Sequence, residues 1–157
     1  MNAQPTQSSF SGVARPHNVE AEQALLGAML INNDAYHMVS DYLTMDHFYE
    51  ALHRQIFKTA AELIVAGKRA NPITIKTFLP EDEKIGDMNV AQYLARLVTE
   101  ATTVVNVHDY AQSIVVLWGR RASMGVAEQL TSDCFDPDTL LSDALSQAQT
   151  SLTEIEL

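Results

Sequence analysis

The residues best spaced for chemistry are Glu50 and His53, in the run Glu50-Ala51-Leu52-His53. On a helix this spacing sets a carboxylate and an imidazole on one face, the arrangement that di-iron bundles use twice, with two further glutamates. The chain has it once, with His47, three residues before Glu50, as a possible third ligand, so a structural or surface histidine is the simpler reading. Cys134 is the single cysteine, and the carboxylates Asp133 and Asp136 beside it are the opposite of the electropositive surroundings that an activated thiol needs. The six glycines stand singly and form no G-x-x-x-x-G-K-[ST] loop, which leaves nucleotide binding without support. Arg120-Arg121, Lys58, Lys68 and Arg69 are too dispersed to track a phosphate backbone and read more simply as local ion-pairing groups. Spacing therefore assigns no catalytic, cofactor-binding or metal residue.

The elements that must carry these residues are helical. Apolar residues make up 46% of the 157, enough for a core, in one domain or one domain with an extended helical pair. A net charge of −10 repels phosphates and argues against a nucleic-acid clamp. The lone cysteine fits a reducing cytoplasm, and neither a signal peptide nor an apolar run of about 18 residues is present.

Residues 1–15, rich in Gln, Ser, Thr and Pro, are expected to form a disordered tail. A helical globular head should occupy 16–105. Asn18 caps its first helix, which carries Glu20 and Glu22 in the first turn and buries Leu25, Leu26, Met29 and Leu30. Asp34 is placed to cap a short helix through Tyr42, with Tyr36, Val39 and Leu43 inward. A turn of helix at Asp46 to Tyr49 then leads into a long helix, about Glu50 to Ala66, closed by Gly67. Asn71-Pro72 reads as a break, after which Thr74 caps a brief helix holding Ile75, Phe78 and Leu79. Glu81 to Lys84 is a solvated loop, Gly86-Asp87 a turn, and Asn89 caps a helix from Val90 to Glu100. Thr99 to Asn106 reads as a linker. No period-2 strand of any length is evident, so the fold class is all-α.

The last third, 106–157, reads as two long antiparallel helices with a turn at Thr131 to Phe135. Asp136-Pro137-Asp138 is read as the start of the second helix. Apolar positions on the first helix span roughly 200° of its circumference, more than one neighbouring helix can cover. Those on the second span roughly 140°, with coiled-coil-like spacing along Leu141, Leu145, Ala148, Leu152 and Ile155. Ile114, Leu117, Trp118, Leu141, Leu145, Ala148 and Leu152 are the expected residues of hairpin packing and subunit contact, with Trp118 a candidate anchor.

Pro16-His17-Asn18-Val19-Glu20-Ala21-Glu22-Gln23, followed by Leu26-Gly27, resembles the opening signature of the N-terminal domain of the bacterial replicative DNA helicase, the DnaB family. Phe48-Tyr49, His53-Arg54 with Ile56-Phe57, Gly67, Tyr93-Leu94 with Leu97, Asn106, and Tyr110-Ala111 with Ile114-Val115 follow in the family's order. Val116-Leu117-Trp118 departs from it by continuing apolar where the family turns charged. The resemblance implies a head and hairpin that pair with another subunit's hairpin, three such dimers forming the collar of a hexameric ring. It implies primase and a helicase loader as partners, and a parent that unwinds duplex DNA in the cytoplasm. ATP and Mg would belong to a motor domain beyond residue 157, so that this chain is expected to be a fragment that is not itself an enzyme. Two readings from other classes are a free-standing helical regulatory or nucleic-acid-binding module and a metal enzyme built on Glu50 and His53.

Overall fold

The computed structural model describes residues 12–101 and 106–155. The tail expectation for residues 1–11 and the centre of the Thr99 to Asn106 linker fall outside the described residues. Among those described, seven α-helices and one two-stranded ribbon follow one another: α1 (Val19–Ile31), α2 (Asp34–Val39), a 3-10 turn (Met45–His47), α3 (Ala51–Val65), α4 (Pro72–Lys76), β1 (Lys84–Ile85), β2 (Met88–Asn89), α5 (Val90–Glu100), α6 (Val107–Phe135) and α7 (Leu141–Thr153). The fold is all-α, as the sequence predicts.

α1 is the central helix of the head. From Leu25 to Leu30 every residue is buried, because α3, α5, α6 and α2 all pack around it. An α-helix apolar around its whole circumference has to be enclosed in this way. Burying Leu25, Leu26 and Met29 completely contributes about 1.5–3 kcal/mol each. Gly27 permits the closest approach: a Cβ there would lie 2.3 Å from the Leu97 carbonyl oxygen and 2.7 Å from the Ala101 Cβ.

Local caps set the helix ends. Asn18 Oδ1 accepts from Ala21 N–H at α1, and Asn89 Oδ1 accepts from Gln92 N–H at α5. Gly67, at φ 72°, ends α3 with Lys68 N–H donating to the Leu63 carbonyl and Gly67 N–H to that of Ile64. Asn71-Pro72 starts a helix instead of breaking the chain. Asn71 caps α4 by accepting from Ile73 and Thr74 N–H, and Thr74 sits inside α4, returning a hydroxyl contact to Asn71 N–H. Ile75 and Leu79 are buried there, whereas Phe78 is exposed. At α2 the Asn32 side chain, not that of Asp34, receives the first N–H. Asn33 ties the start of α4 to the end of α1, exchanging hydrogen bonds with both backbone groups of Ala70.

α6 is one unbroken helix of 29 residues. Its first turns belong to the head, where Val107, Ala111, Ile114 and Val115 join the core. Thr131 to Phe135, expected as the turn, is its last stretch. Thr131 Oγ1 donates to the Ala127 carbonyl and Gln129 Nε2 to Asp133, so polar side chains that suggest a break bond back onto their own helix. The turn is Asp136 to Leu140. Asp136 Oδ1 accepts from Asp138 N–H and Oδ2 from the Thr139 hydroxyl, contacts that also depress its carboxyl pKa. These residues close a local turn rather than start α7.

Candidate functional site

Two features stand apart from the ordinary core. One is a buried polar network in the head, and the other is the hairpin's uncovered leucines.

Glu22, on α1, is 2% exposed. Its carboxylate accepts from Tyr49 N–H at 2.6 Å and Glu50 N–H at 3.3 Å, where α3 begins, and meets His53 Nδ1 at 2.6 Å. The other ring nitrogen, Nε2, meets the Tyr93 hydroxyl of α5 at 2.6 Å, and Gln23 Nε2 donates to that hydroxyl at 3.0 Å. The network is self-consistent with neutral imidazole: Gln23 donates to Tyr93, Tyr93 to His53, and His53 to Glu22. Burial raises the Tyr93 pKa, keeping its phenol a donor. Both ring nitrogens of His53 are thus engaged by α1 and α5, while the Glu50 side chain is exposed on the surface. The Glu50 and His53 spacing makes no joint site, and His53 is a structural residue.

Arg121, midway along α6, secures the hairpin's root. Its guanidinium donates to the carbonyls of Pro16 and His47 at 2.8 Å each. It lies 5.3 Å from the Tyr49 ring centroid, and the His17 ring stacks on Tyr49 at 4.2 Å. Arg15, placed in the tail by sequence, pairs with Glu128 further along α6 at 2.7 Å. His47 faces α6 as well, its ring 4.6 Å from that of Trp118. Burial lowers the His47 pKa, with Asp46 opposing and Arg121 reinforcing the shift. Its Nδ1 accepts from Thr44 N–H, a role only the neutral ring can fill.

The seven expected hairpin residues separate by position. Ile114 is buried in the head's core. Trp118 is half-buried in a cleft of about 350 Å³ that it shares with Asp41, Tyr42, Thr44, His47, Val115 and Glu154. Leu117 is half-buried on the side of α6 opposite to α7. α7 meets α6 mostly through small residues: Ala144, Ala148 and Ser151, with Gln147, border a narrow gap against Val126, Gln129, Leu130 and Asp133, and Ala144 is fully buried. This roll leaves the larger side chains outside. Leu141 is 63% exposed, Leu145 47% and Leu152 50%, and they form one stripe along α7. Leu140 and Phe135 extend the exposed apolar surface around the tip.

The family model described as "DnaB-like helicase N terminal domain" matches residues 14–115, from the N-terminal strap to the last core position of α6. The replicative DNA helicase DnaB of Rickettsia conorii is 36% identical over 121 residues, covering 77% of this chain and 24% of its own length. That of Pasteurella multocida is 32% identical over 150 residues, covering 94% and 32% respectively. The chain therefore spans about a quarter to a third of the curated relatives it matches. Among solved structures, the N-terminal domain of DnaB helicase from Mycobacterium tuberculosis superposes with a TM-score of 0.79 at 22% identity, over 90% of this chain and 99% of that one. A DnaB-like replicative helicase, described with its interactions with primase, superposes with a TM-score of 0.67 at 23% identity, over 89% and 32%. A family match across most of the chain, with relatives 36% and 32% identical, shows that this protein belongs to the DnaB-like helicase N-terminal domain family.

Proposed function

We propose that this domain assembles and docks: it pairs subunits of a hexameric replicative helicase into a collar and receives primase at the replication fork. The observation that carries the reading is the exposed Leu141, Leu145 and Leu152 stripe on a hairpin whose α7 turns Ala144, Gln147, Ala148 and Ser151, and no leucine, to the gap against α6. Three exposed leucines at helical spacing form a seam for an identical stripe, which is the self-complementary geometry of a two-fold dimer. Subunit contact is assigned to this leucine stripe, whereas Ile114, Leu117, Trp118 and Ala148 support the hairpin from within the chain. Primase docking is supported by the solved DnaB-like helicase described with primase, and a loader is a further partner of the same collar. ATP hydrolysis, Mg binding and duplex unwinding would belong to a motor domain of the parent, acting in the cytoplasm.

Sedimentation of the chain tests the seam. The wild type is expected to dimerise, and Leu145→Glu with Leu152→Glu to weaken the dimer by about 2 kcal/mol or more while circular dichroism still reports a folded helical chain. Trp118→Ala should lower the melting temperature and leave association alone. Dimers that survive the leucine substitutions would remove the stripe from the interface.

A further inference from the structure

We infer that the acidic tip of the hairpin docks on a basic, partly apolar patch on the head of another copy of this chain, a second contact distinct from the leucine seam. The inference rests on the proposed assembly role and names a further surface for it.

Charge is unevenly distributed along the sequence. In a chain of net charge −10, residues 58–78 carry Lys58, Lys68, Arg69 and Lys76 against Glu62 alone. All four cations are exposed, and none belongs to an ion pair among the described residues. The same stretch exposes Val65 (74%), Ile73 (78%) and Phe78 (65%), large apolar side chains the fold leaves uncovered at the end of α3 and on and just past α4. Exposed cations and exposed apolar side chains interleaved over one short stretch fit a partner that is acidic and apolar together.

This sequence contains such a partner. From Ala122 to Ile155 there is no Lys or Arg, and Glu128, Asp133, Asp136, Asp138, Asp143 and Glu154 are all acidic. At the tip, Phe135 (73%) and Leu140 (66%) are exposed among these carboxylates. The tip cannot reach its own patch. α6 is continuous and carries Phe135 roughly 24 Å beyond Gly119, the last α6 residue buried in the chain. A neighbouring copy is the occupant that geometry leaves available.

Salt separates the two contacts. The leucine seam brings together two hairpins of like negative charge, so screening favours it, whereas the tip and patch attract and screening weakens them. Sedimentation velocity of the wild type is therefore expected to show species larger than a dimer at about 50 mM salt and dimers at about 0.5 M. Lys68→Glu, Arg69→Glu and Lys76→Glu together should stop association at the dimer, as should Asp133→Lys, Asp138→Lys and Asp143→Lys together. Mixing the two triple variants restores opposite charges at both kinds of contact, and should restore the larger species. A wild type that stops at the dimer at low salt, larger species that persist in either triple variant, or a mixture that stays dimeric would each overturn the inference. Failure of the leucine seam is read separately, as a wild type that does not dimerise at high salt.

Discussion

Glu22 accepts hydrogen bonds from two backbone N–H groups at the start of α3 and from His53, so one buried side chain joins α1 to α3 and, through Tyr93, to α5. Removing it leaves the buried His53 ring and two part-buried backbone N–H groups without an acceptor. Glu22→Ala is expected to cost about 3–5 kcal/mol in urea unfolding, whereas Tyr93→Phe, which deletes one hydroxyl, should cost about 1–3 kcal/mol. A Glu22→Ala cost below the Tyr93→Phe cost would show that the carboxylate is not the centre of the network. His47 titrates in the opposite sense to a paired histidine. Burial holds its folded pKa below the unfolded value of about 6.5, so stability is full above that value and falls as acid protonates the unfolded chain preferentially. The melting temperature should fall as pH drops below about 6.5, and less steeply in His47→Gln. A sequence shows which residues could do chemistry but not which carboxylate reaches which imidazole. Glu50 has helical spacing to His53, yet the residue that meets it is Glu22, on another helix, for which no spacing rule exists.

Most helices were legible because their signals are local. Asn18, Asn89 and Gly67 cap within three or four residues of the groups they satisfy, and the buried face of α1 follows from its composition. Asp136-Pro137-Asp138 misled because the same side chains that start helices also close turns, and the outcome depends on how far α6 persists. Nor could the roll of α7 be read: Ala144 and Leu145 both lie in its apolar arc, and the surface of α6 decides which of them faces inward. At the crossing of α1 and α5 the controlling residue is Gly27. Gly27→Ala must push Leu97 and Ala101 away and is expected to cost about 1–3 kcal/mol, seen as a lower melting temperature. An unchanged melting temperature would mean that the two helices can separate freely.

Across the whole molecule, α6 divides into an anchored half and a presented half. Val107 to Val115 contribute to the head's core, whereas beyond Gly119 no α6 residue is fully buried. Amide hydrogen exchange is expected to be slow in the first segment and faster beyond Arg121 in a chain held monomeric by the leucine substitutions. Uniform protection along α6 would show that the hairpin is as firmly supported as the head. The continuity of α6 also has a mechanical meaning. A rod fixed at one end is a lever, and an adjustment of about 10° at Arg121, Tyr49 and His17 would swing the tip through roughly 4 Å over its roughly 24 Å arm. Small rearrangements at Pro16 and His17 would thereby be amplified into displacements of several ångström at the far end of the hairpin.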